Sequence, residues 1–378
     1  MGEGKSFREA LKKAKRIVVK VGTSTITYAN GKRNFSQIDR LARELSDLQN
    51  QGKEMILVSS GAVAVGVDRL GLPAKPATIP GKQACAAVGQ GVLMHTYEKL
   101  FADYGQIVAQ VLITRTEAID RHRYTNCRNT FMTLLQQGVI PIVNENDVVA
   151  LDELKIGDND NMSALVAGIV DADLVIILSD IDGVYTANPQ THPEAKLLDE
   201  IKEITPEVEA LAGGSGSNLG TGGMMTKIEA AKIAVNSGVT MFIAPGDRDG
   251  VITSIMAGDT LGTVFPPKEE HLKARKGWLA FGKRIAGVLT VDAGCAKALQ
   301  AGSSLLAVGI VATEGDYQAG GTVRVLTMDN REIARGIINY DSRDVQAVMG
   351  RKTSELADLI QGEFHEEIIH RDNMVSMI

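Results

Sequence analysis

The chain is poor in aromatic residues and in cysteine. Phe, Trp and Tyr make up 4% of its 378 residues, with one Trp, and there are three cysteines. Cys85, Cys127 and Cys295 lie far apart and form neither a CxxC nor a Cys/His spacing, which argues against a disulfide framework and against zinc. Nothing near them in sequence would lower a thiol pKa, so each reads as a small buried apolar side chain. No run approaches the roughly 18 apolar residues needed to span a bilayer, and Met1 to Arg16 is charged, without the apolar core of a signal peptide. A cytoplasmic protein is predicted, neither exported nor embedded in a membrane. Positive charge is not in excess either. The net charge of −6 does not favour a general nucleic-acid surface, so any polyanion must be held by local features. Two common nucleotide signatures are missing: there is no Gly-x-x-x-x-Gly-Lys-Ser/Thr loop, and no Gly-x-Gly-x-x-Gly after the first strand.

What is present is an ordinary globular composition, 44% hydrophobic and 23% charged, in a chain long enough for two domains. From about residue 16 to 265, β-branched apolar runs alternate with helical patterns. The runs Ile17 to Val21, Met55 to Val58, Ile107 to Ile113, Val139 to Val143, Leu174 to Leu178 and Thr240 to Ala244 read as buried parallel strands. Between the first two, Ser36 is placed to cap a helix whose Ile38, Leu41, Leu45 and Leu48 recur at helical spacing, with Gly52 closing it. Repeated βαβ units predict an α/β fold, an open sheet covered by helices on both faces, with ligands at the carboxyl ends of the strands.

After Phe265 the texture changes. Pro266 to Lys276 opens with two prolines and is charged, and 266–283 reads as a linker between a domain at 1–265 and another at 284–378. Beyond it, Gly287 to Val291, Ser304 to Val308, Thr322 to Leu326 and Glu332 to Ile338 suggest a small β-rich domain. Met349 to Ile378 begins as an amphipathic helix.

Three loops are suited to phosphate. Lys20 stands inside the first apolar strand, just before Gly22. A buried, unpaired ammonium is costly and needs an anion, although a lysine on a sheet edge with its head in water explains it equally simply. Ser59 to Gly66 is rich in small residues at a helix start, where backbone N–H groups attract anions; a plain tight turn is the alternative. Gly220 to Lys227, preceded by a glycine- and serine-rich stretch, places Lys227 in the first turn of a helix, where a cation opposes the helix dipole and a bound phosphate would compensate it.

Acidic and amide clusters lie at Asn144 to Asp147 and Lys155 to Asn161, and a further strand ends in Ser179-Asp180, with Asp182-Gly183 and Tyr185 beyond. Asn and Asp clusters also make turns, and the second cluster lacks the ligands of an EF-hand. None of the six histidines falls in a recognisable catalytic pairing. Phosphorylation of a hydroxyl calls for a base, whereas a carboxylate acceptor, with a pKa of about 4.3, is already an anion. Its difficulty is repulsion between anions, for which two lysines and inward N–H groups are the remedy.

Taken in order, VVKVGTS, SSGAVAVG, NENDVVA, KIGDNDNMSA, LSDIDGVYTANP and GTGGMMTK resemble the amino-acid kinase family, and within it the branch that phosphorylates the side-chain carboxylate of glutamate on the way to proline. The resemblance covers nearly the whole chain. It implies a three-layer αβα sandwich with a mainly parallel sheet, in which Lys20 and Lys227 neutralise the transferring phosphoryl group and Asp160 orients them. It implies glutamate against Ser60, Gly61, Asp147 and Asn159, and ATP at Ser179, Asp180 and along Thr221, Gly222, Gly223, Met224, Met225, Thr226 and Lys227, with Mg2+ bridging its phosphates. Ser179 stands where the family carries threonine, and it keeps the hydroxyl. Proline as a feedback inhibitor and a dimeric or tetrameric assembly are implied in the same way. The segment from about Ala286 to Val345 resembles a PUA domain, a fold found on RNA-modifying enzymes. Ten Lys and Arg against thirteen Asp and Glu from Trp278 onward do not support a phosphate-driven RNA interface. Two alternatives stand beside a glutamate kinase: a kinase of a related acid such as aspartate or N-acetylglutamate, and an RNA-binding protein that retains a vestigial kinase fold.

Overall fold

The computed structural model describes residues 11–28, 30–114, 121–150, 159–189, 191–212, 223–267, 285–356, 359–360 and 365–376. Contacts divide the chain into two units, Met1–His271 and Leu272–Ile378.

In the first unit the apolar runs become strands β1 (Arg16–Val21), β2 (Glu54–Ser59), β3 (Val108–Ile113), β4 (Ile140–Glu145), β5 (Leu174–Ser179), β6 (Thr240–Pro245) and β7 (Thr263–Phe265). They form one sheet in the order β3-β4-β2-β1-β5-β6-β7, parallel except that β7 runs antiparallel to β6. The described helices are α1 (Thr23–Ile26), α2 (Phe35–Asn50), α3 (Ala62–Leu70), α4 (Ile79–Asp103), α5 (Arg121–Gln136), α6 (Asn159–Ile169), α7 (Pro206–Ala212), α8 (Met224–Asn236) and α9 (Val251–Ala257). Because side chains alternate along a strand, β1 feeds both faces. Ile17, Val19 and Val21 pack with Leu41 and Leu45 of α2 and Tyr97 and Phe101 of α4. Val18 joins Met162 and Val166 of α6 and Ile228 and Ala231 of α8 on the other face. The result is the three-layer αβα sandwich with a mainly parallel sheet.

Three local expectations need correction. Helix α2 is capped by Asn34, whose Oδ1 accepts from Gln37 N at 3.3 Å; Ser36 lies inside the first turn. Strand β3 is not buried like the others. It is an edge strand paired only with β4, and Ile107 just before it is 68% exposed. Lys20, in contrast, is not on an edge, since β1 lies between β2 and β5, with Lys20 opposite Val58 and Ile177.

The second unit has strands β8 (Gly287–Val291), β9 (Ile310–Glu314), β10 (Thr322–Thr327), β11 (Glu332–Ile337) and β12 (Met374–Ser376) in the order β12-β11-β10-β8-β9. Only β8 and β10 pair in parallel. Helices α10 (Ala293–Gln300), α11 (Ser342–Val348) and α12 (Thr353–Leu356) accompany the sheet, and Asp292 caps α10 by accepting from Cys295 N at 2.7 Å. Ser304 to Val308 is not a strand: Leu305 makes an isolated bridge to Ile369, and a 3-10 turn follows at Ala307–Gly309. Met349 does not start a helix but is the C-cap of α11, and the next described helix is the single turn α12. Most of the expected linker lies outside the described residues. Among the described residues, no helix is long and apolar enough to cross a membrane.

Candidate active site

Parity along β1 puts Lys20 on the same face as Val18, the face covered by α6 and α8. At that depth an ammonium group needs a counter-charge, and α6 supplies it in its first turn. Asp160 is fully buried, with Oδ1 2.6 Å from Lys20 Nζ and Oδ2 3.2 Å from Lys227 Nζ. Lys20 is 5% and Lys227 4% exposed. Thr226 Oγ1 donates to Asp160 Oδ2 at 3.0 Å, and Asn161 Nδ2 donates to Glu229 Oε2 at 3.3 Å, which aligns the first turns of α6 and α8. Burial opposes ionisation of Asp160, but the ammonium groups of Lys20 and Lys227 outweigh it and hold the carboxyl below its ordinary range. The cation that opposed the α8 dipole is therefore compensated inside the protein. One carboxylate against two ammonium groups leaves a net charge of +1, which favours an incoming anion.

The backbone around the lysines leaves room for such a group. A side chain at Gly22 would begin 3.7 Å from Lys20 Nζ. Gly61, at the N-cap of α3, has φ +92°, and a Cβ there would meet Ile26 Cδ1 at 3.1 Å. Gly66 has a different task. Its missing side chain allows α3 to cross α4 in contact, since a Cβ would lie 1.8 Å from Cys85 O, and Gly89 does the same against Ala62 O.

The neighbouring groups are amides and hydroxyls. Asn159 Nδ2, with two hydrogens to share, lies 2.8 Å from Ser59 O, 2.8 Å from Ser60 Oγ and 3.0 Å from Asn144 Oδ1, which joins the ends of β2 and β4 to the start of α6. Asn144 Nδ2 in turn donates to Gln90 Oε1 at 2.8 Å. Tyr97, buried on α4 and hydrogen-bonded to Ser59 Oγ at 2.8 Å, has its phenol pushed up to about 12 by burial, so it stays neutral. Asp147 lines a cavity of about 260 Å³ together with Ala86, Gln90, Gln110, Leu112 and Glu145. Gln90, which lines the same cavity, accepts from Asn144, the neighbour of Asn159.

At the end of β5, Ser179 is buried and donates to Oδ1 of exposed Asp180 at 3.0 Å, while Ser179 O accepts from Gly246 N at 2.7 Å. Gly223 caps α8, and its carbonyl oxygen, 2.8 Å from Thr226 Oγ1, is an alternative acceptor for the one hydroxyl hydrogen that Asp160 also faces. Met224 packs against the core and Met225 is 41% exposed. Tyr185 Oη lies 2.9 Å from each carboxylate oxygen of Asp182 and shares its one hydrogen between them, so this pair shapes its own turn. Thr221, Gly222 and 155–158 lie outside the described residues. The structure thus brings together Lys20, Asp160, Thr226 and Lys227, and separately Ser60 with Asn159. Sequence reasoning missed Gln90 and Tyr97, which support these groups from behind. Their seven-residue spacing places them on one face of α4, but only the helix itself makes that visible.

Residues 15–245 match the amino acid kinase family, and 287–360 match the PUA domain. The chain is 50% identical to glutamate 5-kinase of Moorella thermoacetica over 369 residues, 97% of this chain and 98% of that protein. It is 50% identical to glutamate 5-kinase of Carboxydothermus hydrogenoformans over 371 residues, 98% of this chain and 99% of that protein. Glutamate 5-kinase of Thermoanaerobacter sp. (strain X514) is 49% identical over 361 residues, 95% of this chain and 97% of that one. With the family match spanning β1 to β6 and both lysine loops, the chain belongs to the amino acid kinase family.

Proposed function

We propose that the chain transfers the γ-phosphoryl group of ATP to the side-chain carboxylate of L-glutamate, giving L-glutamyl 5-phosphate, the first step of proline biosynthesis. The observation that carries this is the buried Lys20–Asp160–Lys227 bridge at the carboxyl end of a parallel sheet, in a chain matched almost end to end by glutamate 5-kinases. The acceptor is ionised at neutral pH, so no base is required. The barrier lies in bringing one anion to another. Lys20 and Lys227 meet the negative charge of the transferring group from positions fixed before the reaction, a device worth on the order of 100-fold or more per donor. Asp160 keeps both ammonium groups in place.

We assign Ser60, Gly61, Asp147 and Asn159 to glutamate, and Ser179, Asp180 and Thr221 to Lys227 to the nucleotide. ATP is taken as its magnesium complex, the ion bridging its phosphates. The reaction belongs to 1–265, joined through 266–283 to the PUA-like 284–378. Proline inhibition, assembly into dimers or tetramers and a cytoplasmic location are part of the same proposal.

Trapping the acyl phosphate with hydroxylamine tests it. Glutamyl hydroxamate is expected with glutamate, and little product with aspartate or N-acetylglutamate. Turnover of either of those without glutamate overturns the assignment.

A further inference from the structure

The polarity of one cavity wall is dictated from outside it. Ser59 O can only accept, so the Asn159 atom 2.8 Å away is its NH2 group. The backbone N–H of Glu145 can only donate, so the Asn144 atom 2.9 Å from it is Oδ1, which also receives Asn159. The Asn144 NH2 is then the group 2.8 Å from Gln90, and Gln90 must accept it through Oε1. Donation runs in one direction, from Asn159 to Asn144 to Gln90, and it leaves Gln90 with its NH2 group to offer in a cavity that Asp147 also lines.

We propose that Gln90 is a specificity-determining residue, its Nε2–H binding the α-carboxylate of the amino-acid substrate while Asp147 takes the α-ammonium group. This rests on the proposed phosphorylation of glutamate. A zwitterionic head group needs one donor and one carboxylate, and this cavity offers both. A neutral donor suits the task better than a cation. A lysine or arginine here would hold either carboxylate of glutamate, including the one that must reach Lys20 and Lys227. The amide binds the head group without competing with that pair.

The test is Gln90→Glu, which keeps an acceptor for Asn144 and exchanges the donor for a second carboxylate oxygen. The KM for L-glutamate is expected to rise about 10- to 100-fold, as for loss of a hydrogen bond to a charged group, with kcat within about 3-fold and the KM for ATP unchanged. L-Isoglutamine, glutamate with an α-carboxamide, is assayed as a competitive inhibitor against glutamate, so no turnover of it is needed. It should bind the Gln90→Glu enzyme at least as tightly as the parent. Equal weakening of glutamate and isoglutamine, or an unchanged KM, overturns the proposal, and so does a fall in kcat alone. Should Gln90→Glu fail to fold, Gln90→Met must still weaken glutamate more than isoglutamine, and equal losses again overturn it. Parent enzyme that makes no glutamyl phosphate overturns both readings. Parent enzyme that makes it, with unchanged KM in Gln90→Glu, overturns this one alone.

Discussion

The two sheets of this chain bury different things. Every charged side chain buried among the described residues, Lys20, Arg128, Asp160 and Lys227, belongs to the first unit. Among the described residues the second unit buries Thr322 and Asn373 but no charged side chain, around a core of Leu289, Val325, Leu305, Ile369 and their neighbours. An ion taken out of water costs free energy unless it is paired, so the first unit accepts a cost that the second avoids. The difference teaches how each core is composed: the parallel sheet gives up apolar core at the carboxyl ends of β1 and β5, whereas the core of the mixed sheet holds no charged side chain among the described residues.

The largest effect should come from Asp160→Ala, which leaves two ammonium groups buried without their carboxylate. A loss of about 3–5 kcal/mol in denaturant unfolding is expected, together with activity reduced on the order of 1,000-fold or more. The contrast between the units would be blunted if the variant kept full activity. The same carboxylate sets an acid limit. Because its folded pKa lies below the ordinary value of 3.8, its contribution is complete above that value and is lost as pH falls further, through the folded pKa. Asp160→Asn should flatten that part of the stability curve.

Next, Lys227→Ala should lower kcat on the order of 100-fold while changing the KM for glutamate far less, as steady-state kinetics would show. Unchanged turnover would remove Lys227 from the mechanism. In the other unit Leu305→Ala, at a fully buried position, should cost about 2–5 kcal/mol in unfolding with kcat intact. A matching loss of kcat would mean that the second core serves the reaction as well. The smallest effect concerns Cys295, whose thiol burial and the nearby Asp292 push from 9.0 to about 11. Its neutral form stabilises the fold below pH 9.0, and that contribution is lost as pH rises through about 11. Iodoacetamide should label Cys295 slowly at pH 9, where about 1% rather than half is thiolate.

The central strands were legible because burial on both faces leaves a run with no alternation, as in Ile17 to Val21 and Leu174 to Leu178. The edge strand β3 looks similar in sequence, and only its place in the sheet distinguishes it. Helix α4 was invisible for a different reason. Its contact with α3 is made by Gly89, Ala86 and Cys85 rather than large apolar residues, so the usual periodic signal is weak. The N-cap of α2 fell on Asn34 rather than Ser36 because both residue types cap well and sequence alone does not set the first turn. At the site, Lys20 and Lys227 stood out as misplaced cations, and that misplacement was the clue. Their common carboxylate at Asp160, and Gln90 behind Asn144, depend on α4, α6 and the sheet meeting in space.

Helix α6 is clamped at its far end too. Arg128 donates to Ile169 O and holds Asp171 Oδ2 at 2.5 Å, and Arg16 donates to Val170 O. Eleven helical residues rise about 16 Å, so the carboxylate that spaces the two lysines is the tip of a strut anchored well away from them. Arg16 also opens β1, four residues before Lys20. The strand that carries one lysine therefore grips the base of the helix that carries its counter-ion, and the ion pair is held by a closed loop of covalent chain and hydrogen bonds, in the manner of a truss rather than a hinge.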